Sequence, residues 1–276
     1  MTEPPAVEQR CYRHADREAY ISCQRCERLI CPDCMRDASV GFQCPECVAE
    51  GSKSVRAPRT VVGGAISMRA GAVSMALLGL NVVVFLLQKL TEGNVNSVFQ
   101  WGAMQGFAVA GGDYWRLLTA AFLHVGILHI AFNMYALYLF GPFVERALGT
   151  TRFVIAYLTM AISSSVFVYW LTDPQVATIG ASGAVFGLFG LALVLLVRLR
   201  QDVRGLLVLL ALNAFISLQG NISWQGHLGG FVTGVLLGAA LAYAPRERRT
   251  AVHVAAFGLT WLFIVVAVVA RTLQLS

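Results

Sequence analysis

Two groups of residues in this chain have types and spacings suited to chemistry. The first lies between positions 11 and 47, where all seven cysteines fall, ordered as Cys11-x2-His14, Cys23-x2-Cys26, Cys31-x2-Cys34 and Cys44-x2-Cys47. A Cys-x2-Cys pair sets two thiolates on one tight turn, half of a tetrahedral zinc site, so four such pairs supply eight ligands for two ions. A disulfide framework suits a secreted domain; an odd cysteine count completed by a histidine suits zinc. Four protein ligands per ion leave no position for water, so the two zinc ions are expected to be structural, with no cofactor for catalysis. A stretch of about forty residues with few large apolar side chains cannot bury enough surface to fold alone, so metal binding would largely be its folding free energy.

The second group is scattered through apolar sequence. In Gly180-Ala181-Ser182-Gly183 a serine flanked by small residues opens an apolar run. Its hydroxyl is unobstructed, and the free N–H groups of a helix start could hold an oxyanion. By itself this string equally suits close helix packing. The run Gly226-His227-Leu228-Gly229-Gly230-x3-Gly234-x3-Gly238 repeats glycine at four-residue intervals, and Gly183, Gly187 and Gly190 are similarly spaced. Two such stripes let helix backbones approach closely and would bring His227 to Ser182 at similar depth, where imidazole can take the proton from a weakly nucleophilic hydroxyl. His129 and Asn133, four apart, share a helix face, with His124 just before them. Polar groups in a membrane helix either mark function or only fix packing. The six acids beyond residue 51 (Glu92, Asp113, Glu145, Asp173, Asp202, Glu247) fall in or near loops. None is placed as a third triad member, so the reading is a Ser–His dyad.

The elements that must position these residues are membrane helices. Of 276 residues, 57% are apolar and 13% charged, against roughly 45–50% and 25% in a soluble domain. Nine of fifteen acids precede residue 51. The chain therefore divides into a polar zinc-binding head (1–50), a basic Gly/Ser-containing flexible linker able to lie against anionic lipid (51–70), a six-span core (71–244), and a basic cytosolic loop with a seventh helix (245–276). The spans are expected near 71–90, 117–141, 151–171, 181–198, 204–220, 225–244 and 251–270. With the N-terminus inside, eighteen Lys and Arg residues fall on the cytosolic side and three outside, a strong positive-inside asymmetry that leaves the C-terminus extracytoplasmic. The start MTEPPAVEQRC lacks the basic flank and apolar stretch of a secretory signal. The net charge of +6 sits at the ends of apolar runs as topology signals, so no nucleic-acid partner is expected.

Several of these residues together resemble the rhomboid family of intramembrane serine proteases: Trp115-Arg116, His124, His129-x3-Asn133, Glu145-Arg146, Gly180-x-Ser182-Gly183, and His227 with Gly230 and Gly234. The likeness runs over about 175 residues in order. It implies an all-α polytopic membrane protein with a six-helix core, here with a seventh C-terminal helix. It further implies Ser182 as nucleophile, His227 as general base, and His129 and Asn133 joining the Ser182 N–H in the oxyanion hole. Gly180 and Gly183 would shape the turn around the serine. Trp115 and Arg116 would belong to a membrane-embedded loop, Arg116 and Glu145 having supporting structural roles, and His124 would be structural. The head resembles the B-box-type zinc-binding domain, in which knuckles usually pair first with third and second with fourth. It departs from that family in ending on Cys44 and Cys47 where histidines are common. The expected partners are transmembrane protein substrates, the bilayer of a bacterial plasma membrane, and a cytosolic protein bound by the head. The competing readings are a non-cleaving membrane-protein binder of the same fold, a transporter using the central His and Asn residues, and a membrane anchor for the zinc module. A transporter predicts paired acids in the bundle or an internal repeat, and the chain shows neither clearly.

Overall fold

A computed structural model describes residues 9–55, 59–66, 70–93, 97–217 and 222–276. The chain forms two compact units, dividing between residues 58 and 59.

The first unit holds two minimal antiparallel hairpins, β1 (Ile21–Ser22) with β2 (Leu29–Ile30) and β3 (Arg36–Asp37) with β4 (Phe42–Gln43), followed by helix α1 (Pro45–Ser54). Pro45 at the first helical position pre-sets the backbone, and Cys44 Sγ caps α1 by accepting from the Cys47 N–H at 3.3 Å. Seven of its residues besides Ile30, namely six cysteines and Ala19, make up the buried core. Strands of two residues and a core of this kind carry little hydrophobic stabilisation. Helix α1 runs on past residue 50, into the stretch expected to be linker.

In the second unit, residues 59–66 are ordered as a turn: Arg59 pairs with Ala65, and Thr60 accepts from Gly63 N–H (2.8 Å) and donates its N–H to Gly64 (2.9 Å). Val62 is buried in the main core with Leu148, so this part of the expected flexible linker is packed structure. The helices that follow are α2 (Ala72–Leu90), α3 (Val98–Gly102), α4 (Gly106–Ala110), α5 (Arg116–Thr119), α6 (Ile127–Leu148), α7 (Thr150–Leu171), α8 (Ser182–Arg198), α9 (Arg204–Ser217), α10 (Trp224–Tyr243) and α11 (Arg249–Leu275). Among the described residues five helices, α2, α6, α7, α10 and α11, are long and apolar enough to cross a membrane by length and composition, and α8 and α9 are shorter apolar helices. Of the expected fifth span, the part up to Ser217 is described and is helix; residues 218–220 lie outside the described residues.

The expected second span, 117–141, is not one helix. Helix α5 gives way to a 3₁₀ turn (Ala120–Phe122), Leu123 is extended, and α6 begins only after an extended Gly126. The cause lies on α2. Gln88 donates from Nε2 to the His124 carbonyl (2.8 Å) and accepts the His124 N–H (3.0 Å), meeting the backbone needs of a break inside an otherwise apolar stretch. His124 therefore precedes the helix that carries His129 and Asn133.

Helix α8 is the centre of the bundle, with an unbroken buried run from Gly183 to Ala192. It packs against α10 along the glycine stripes: a Cβ on Gly230 would collide with the Gly183 carbonyl, and one on Gly234 with the Gly187 carbonyl. Helices α2 and α11 are peripheral, and α11 is tied to α7 by Trp170 Nε1 donating to the Ala267 carbonyl (3.0 Å) and Trp261 Nε1 donating to Thr159 Oγ1 (3.1 Å).

Candidate active site

Ser182 is the first residue of α8, so the first N–H groups of the helix, next to it in sequence, lack intrahelical acceptors. Gly180 makes the turn. Its φ of +138° belongs to glycine, and a Cβ there would lie 2.8 Å from His129 Cε1, 2.9 Å from His129 Nε2 and 3.5 Å from Ser182 Oγ. The histidine and the serine thus flank one point over Gly180. The approach segment 172–180 is anchored to the connection between α2 and α5: Met104 and Thr178 exchange backbone hydrogen bonds (3.0 and 2.8 Å), Gln105 Nε2 donates to the Gln175 carbonyl (3.0 Å), and Gly180 N–H donates to the Ala120 carbonyl (2.9 Å).

His129 and Asn133 sit in the first turns of α6, on the face toward Gly180. Asn133 Nδ2 donates to the His129 carbonyl at 2.8 Å, and its second amide hydrogen has no partner among the described residues. His129 Nδ1 accepts from the Val125 N–H at 3.4 Å, which places the ring hydrogen on Nε2, the ring nitrogen facing Gly180. Both can donate hydrogen bonds, and His129 does so from beside Gly180. His124 is fully buried 5.0 Å from the His129 ring centroid, and neither of its ring nitrogens has a partner among the described residues.

His227 lies in the first turn of α10, whose Ser223 cap accepts the Gly226 N–H at 3.3 Å. Its neighbour Gly226 and Ser182's neighbour Gly183 meet across the helix interface, a Cβ on Gly183 lying 3.3 Å from the Gly226 carbonyl oxygen. Phe186, one turn after Ser182, stacks flat on the imidazole at 4.0 Å between centroids and 9° between planes. His227 Nδ1 is 2.8 Å from Ser217 Oγ. His227 Nε2 is buried without a partner among the described residues, and the Ser182 hydroxyl makes no hydrogen bond there either. Sequence reasoning missed Phe186 and Ser217. The spacing Ser182-x3-Phe186 signals a shared face for the first; nothing in sequence signals the second.

The remaining residues lie around this centre. Trp115 stacks on Trp101 (5.7 Å, 18°) and donates from Nε1 to its carbonyl (3.1 Å). Arg116 pairs with Asp113 (2.8 Å) and donates to the carbonyls of Gln100 (2.8 Å) and Ala103 (2.9 Å), fastening α3 and the turn that follows it. Glu145 is buried on α6, at the opposite end from His129, and receives the N–H of Val73 (3.3 Å) and both the N–H and hydroxyl of Ser74 (2.9 and 2.8 Å). It anchors the start of α2, as an acid at a helix N-terminus should.

A family model of the Rhomboid domain matches residues 111–244, which contain every one of the active-site residues above. The chain is 36% identical over 184 residues to the putative rhomboid protease YdcA of Bacillus subtilis, covering 63% of this chain and 89% of that one. It belongs to the rhomboid family. Rhomboid protease GluP of B. subtilis is 35% identical over 172 residues, 59% of this chain but only 34% of GluP, and rhomboid protease AarA of Providencia stuartii is 26% identical over 213 residues, 65% and 76% of the two chains. This rhomboid protein is therefore an integral membrane protein of an intramembrane serine protease family whose members act on transmembrane proteins. The matched region leaves out the cysteine-rich head.

In the head the interleaved pairing appears. Cys11, His14, Cys31 and Cys34 form one cluster and Cys23, Cys26, Cys44 and Cys47 the other, each with its ligand atoms within 4.8 Å of one another. Both could hold a metal ion. Burial would raise the Cys11 thiol, but N–H groups of Cys31, Arg13 and His14 turned on its sulfur hold it down to about 6. Cys23 is likewise held at about 6, against its burial, by N–H groups of Cys44, Arg25 and Cys26. Thiolates are the ligand form.

Proposed function

We propose that this chain is an intramembrane serine endopeptidase that cuts transmembrane segments of membrane proteins, with Ser182 as nucleophile and His227 as its base. The observation that carries this reading is His227 itself: clamped by Phe186 and Ser217, its ring has one nitrogen without a partner among the described residues, on the helix face packed against the start of α8. A dyad without hydrogen-bond contact in the resting enzyme is common, since such bonds tighten when substrate is bound.

The steps follow from the geometry. His227 Nε2 accepts the hydroxyl proton as Ser182 Oγ attacks the scissile carbonyl. The oxyanion is received by His129 Nε2–H, the Asn133 amide and the N–H groups at the start of α8. The imidazolium then protonates the leaving amine, and water, activated by the same base, releases the acyl group. At 17 residues, α8 is about 25 Å long, shorter than the ~30 Å hydrocarbon core. With Arg198 at one interface, Ser182 lies below the other, in a pocket that water enters from the extracytoplasmic side. A substrate helix must expose its scissile carbonyl there, so substrates carry helix-weakening residues and small side chains at the cut.

The charge asymmetry supports a cytosolic head and an extracytoplasmic C-terminus, in the bacterial plasma membrane expected for this chain. One cluster of three cysteines with a histidine and one of four cysteines, their donors largely buried, fit zinc, and two structural zinc ions held by them would stabilise the head without taking part in hydrolysis. A cytosolic protein is the partner suited to such a module. The test is a reporter transmembrane substrate in proteoliposomes, with labelling by a fluorophosphonate serine probe. Wild type cleaves and labels, Ser182→Ala does neither, and His227→Ala loses cleavage; full activity in either variant would refute the dyad.

A further inference from the structure

The identity of the third group that orients His227 is written in its hydrogen bonds. Ser217 Oγ donates its single hydrogen to the Asn213 carbonyl oxygen at 2.7 Å, a helical i−4 bond. Toward His227 Nδ1, 2.8 Å away, the hydroxyl therefore has only lone pairs to offer, so Nδ1 must carry the ring hydrogen. In neutral imidazole that leaves Nε2 as the bare acceptor, and Nε2 is the buried nitrogen with no partner among the described residues. Phe186 blocks one ring face, so the ring cannot swing to exchange its nitrogens without leaving the stack. Of α9, only Leu206 and Ser217 are buried. A hydroxyl buried in the last described turn of a largely exposed helix, with both its bonds made, is placed for that contact.

We propose that Ser217 is the positioning residue of this enzyme: through the relay from His227 Nδ1–H to Ser217 Oγ to the Asn213 carbonyl, it fixes the tautomer and plane of the general base, the role an acid has in a triad. This rests on the Ser182–His227 reading. The experiment uses the full chain in proteoliposomes with a reporter transmembrane substrate, together with ¹⁵N NMR of His227. Ser182→Ala and His227→Ala come first, and activity in either refutes the dyad itself. With the dyad standing, Ser217→Ala is expected to lower kcat by at least about tenfold, up to the ~10²–10⁴ that a positioned base supplies in all, with KM little changed and the Nδ1–H tautomer signal lost. Ser217→Thr, whose hydroxyl can make the same two bonds, is expected to restore both. Wild-type kcat and tautomer in Ser217→Ala overturn the relay, and so does a kcat loss in which the tautomer signal stays as in wild type.

A second observation stands apart from the catalytic centre. Arg59 Nη1 donates to the Gly63 carbonyl (3.3 Å), a Cβ on Gly63 would lie 2.6 Å from Arg249 Nη1, and one on Gly64 would lie 3.1 Å from Arg152 Nη1. Three guanidiniums from the 59–66 turn, the start of α7 and the start of α11 thus surround the Gly63–Gly64 turn, and the charges of Arg59 and Arg249 both reach Arg152. Among the described residues none of the three has a carboxylate partner, and Arg249 Nε is buried with no partner at all. Glu145, at the same end of the bundle, is taken up by α2. Like charges gathered without a counter-ion are unfavourable, and arginine forks match phosphate oxygens.

The geometry points to a phosphate-binding cradle at Arg59, Arg152 and Arg249, filled by an anionic lipid headgroup or by free phosphate. The full chain in neutral detergent is titrated with phosphatidylglycerol in phosphatidylcholine, with phosphatidylcholine alone, and with inorganic phosphate, following Tm. A rise with phosphatidylglycerol only assigns a lipid, and a rise with inorganic phosphate as well assigns the phosphate group itself. Arg59→Gln with Arg249→Gln should abolish the rise, whereas Arg200→Gln with Arg204→Gln, exposed arginines outside the cradle, should keep it. Equal loss in both pairs, or no rise with either anion, overturns the assignment.

Discussion

His227 shows how a single side chain is made useful by what surrounds it. Stacking on Phe186 sets the ring plane, and the bond to Ser217 decides which nitrogen is free. His129 is placed with the same economy: accepting at Nδ1 from the Val125 N–H directs its Nε2–H toward the point over Gly180. If His129 and Asn133 receive the oxyanion, replacing either by alanine removes an interaction made only in the transition state. The expected outcome is a kcat lower by about 10²–10³, some 2.7–4 kcal/mol, with KM almost unchanged. Steady-state cleavage of a reporter helix checks this, and a change confined to KM would assign them to substrate binding instead. Gly180→Ala should be at least as damaging to turnover, because its Cβ would press on the His129 imidazole at a positive φ.

At the scale of elements, the serine and histidine share a level because α8 and α10 touch backbone to backbone. Gly234→Val would drive a side chain into the Gly187 carbonyl. Overpacking costs typically 1–3 kcal/mol, and a clash with backbone belongs at or beyond the top of that range. The expected result is a clear fall in Tm together with loss of probe labelling, whereas Gly258→Ala on α11, where a Cβ would meet nothing within 4 Å, should leave both unchanged. The break between α5 and α6 is held just as locally. Gln88→Ala strands the His124 N–H and carbonyl, at about 1–3 kcal/mol for each buried group left unpaired; a thermal melt of the purified variant measures it, and an unchanged Tm would show that the clamp is dispensable.

For the whole molecule, the two units have separate sources of stability. The bundle has a large apolar core, while the head has cysteines at its centre. Removing metal with a chelator should therefore unfold residues 9–54 and leave the bundle intact, seen as new protease cuts confined to the head and unaltered labelling of Ser182. Protection of the head under chelation would show that it folds without metal. Because α1 continues to Ser54, a clean test of the head's role removes residues 1–55 and not 1–50. If the head recruits or regulates, that deletion changes substrate choice or turnover while probe labelling persists.

Spacing along the chain was sufficient for whatever depends on near neighbours or on composition. The apolar runs announced a helical membrane protein, the four knuckles announced ligands for two ions, their interleaving coming only with a family resemblance, and the glycine stripes on either side of Ser182 and His227 announced where two helices would meet. Tertiary structure alone decided the rest. That the second apolar stretch is broken before α6 depends on Gln88, 36 residues away, and that part of the supposed linker is packed depends on Val62 reaching the core beside Leu148. Ser217 became legible only once the last described turn of α9 was brought to His227, because which nitrogen of a histidine carries its proton is a property of the atoms around it, and periodicity holds no record of them.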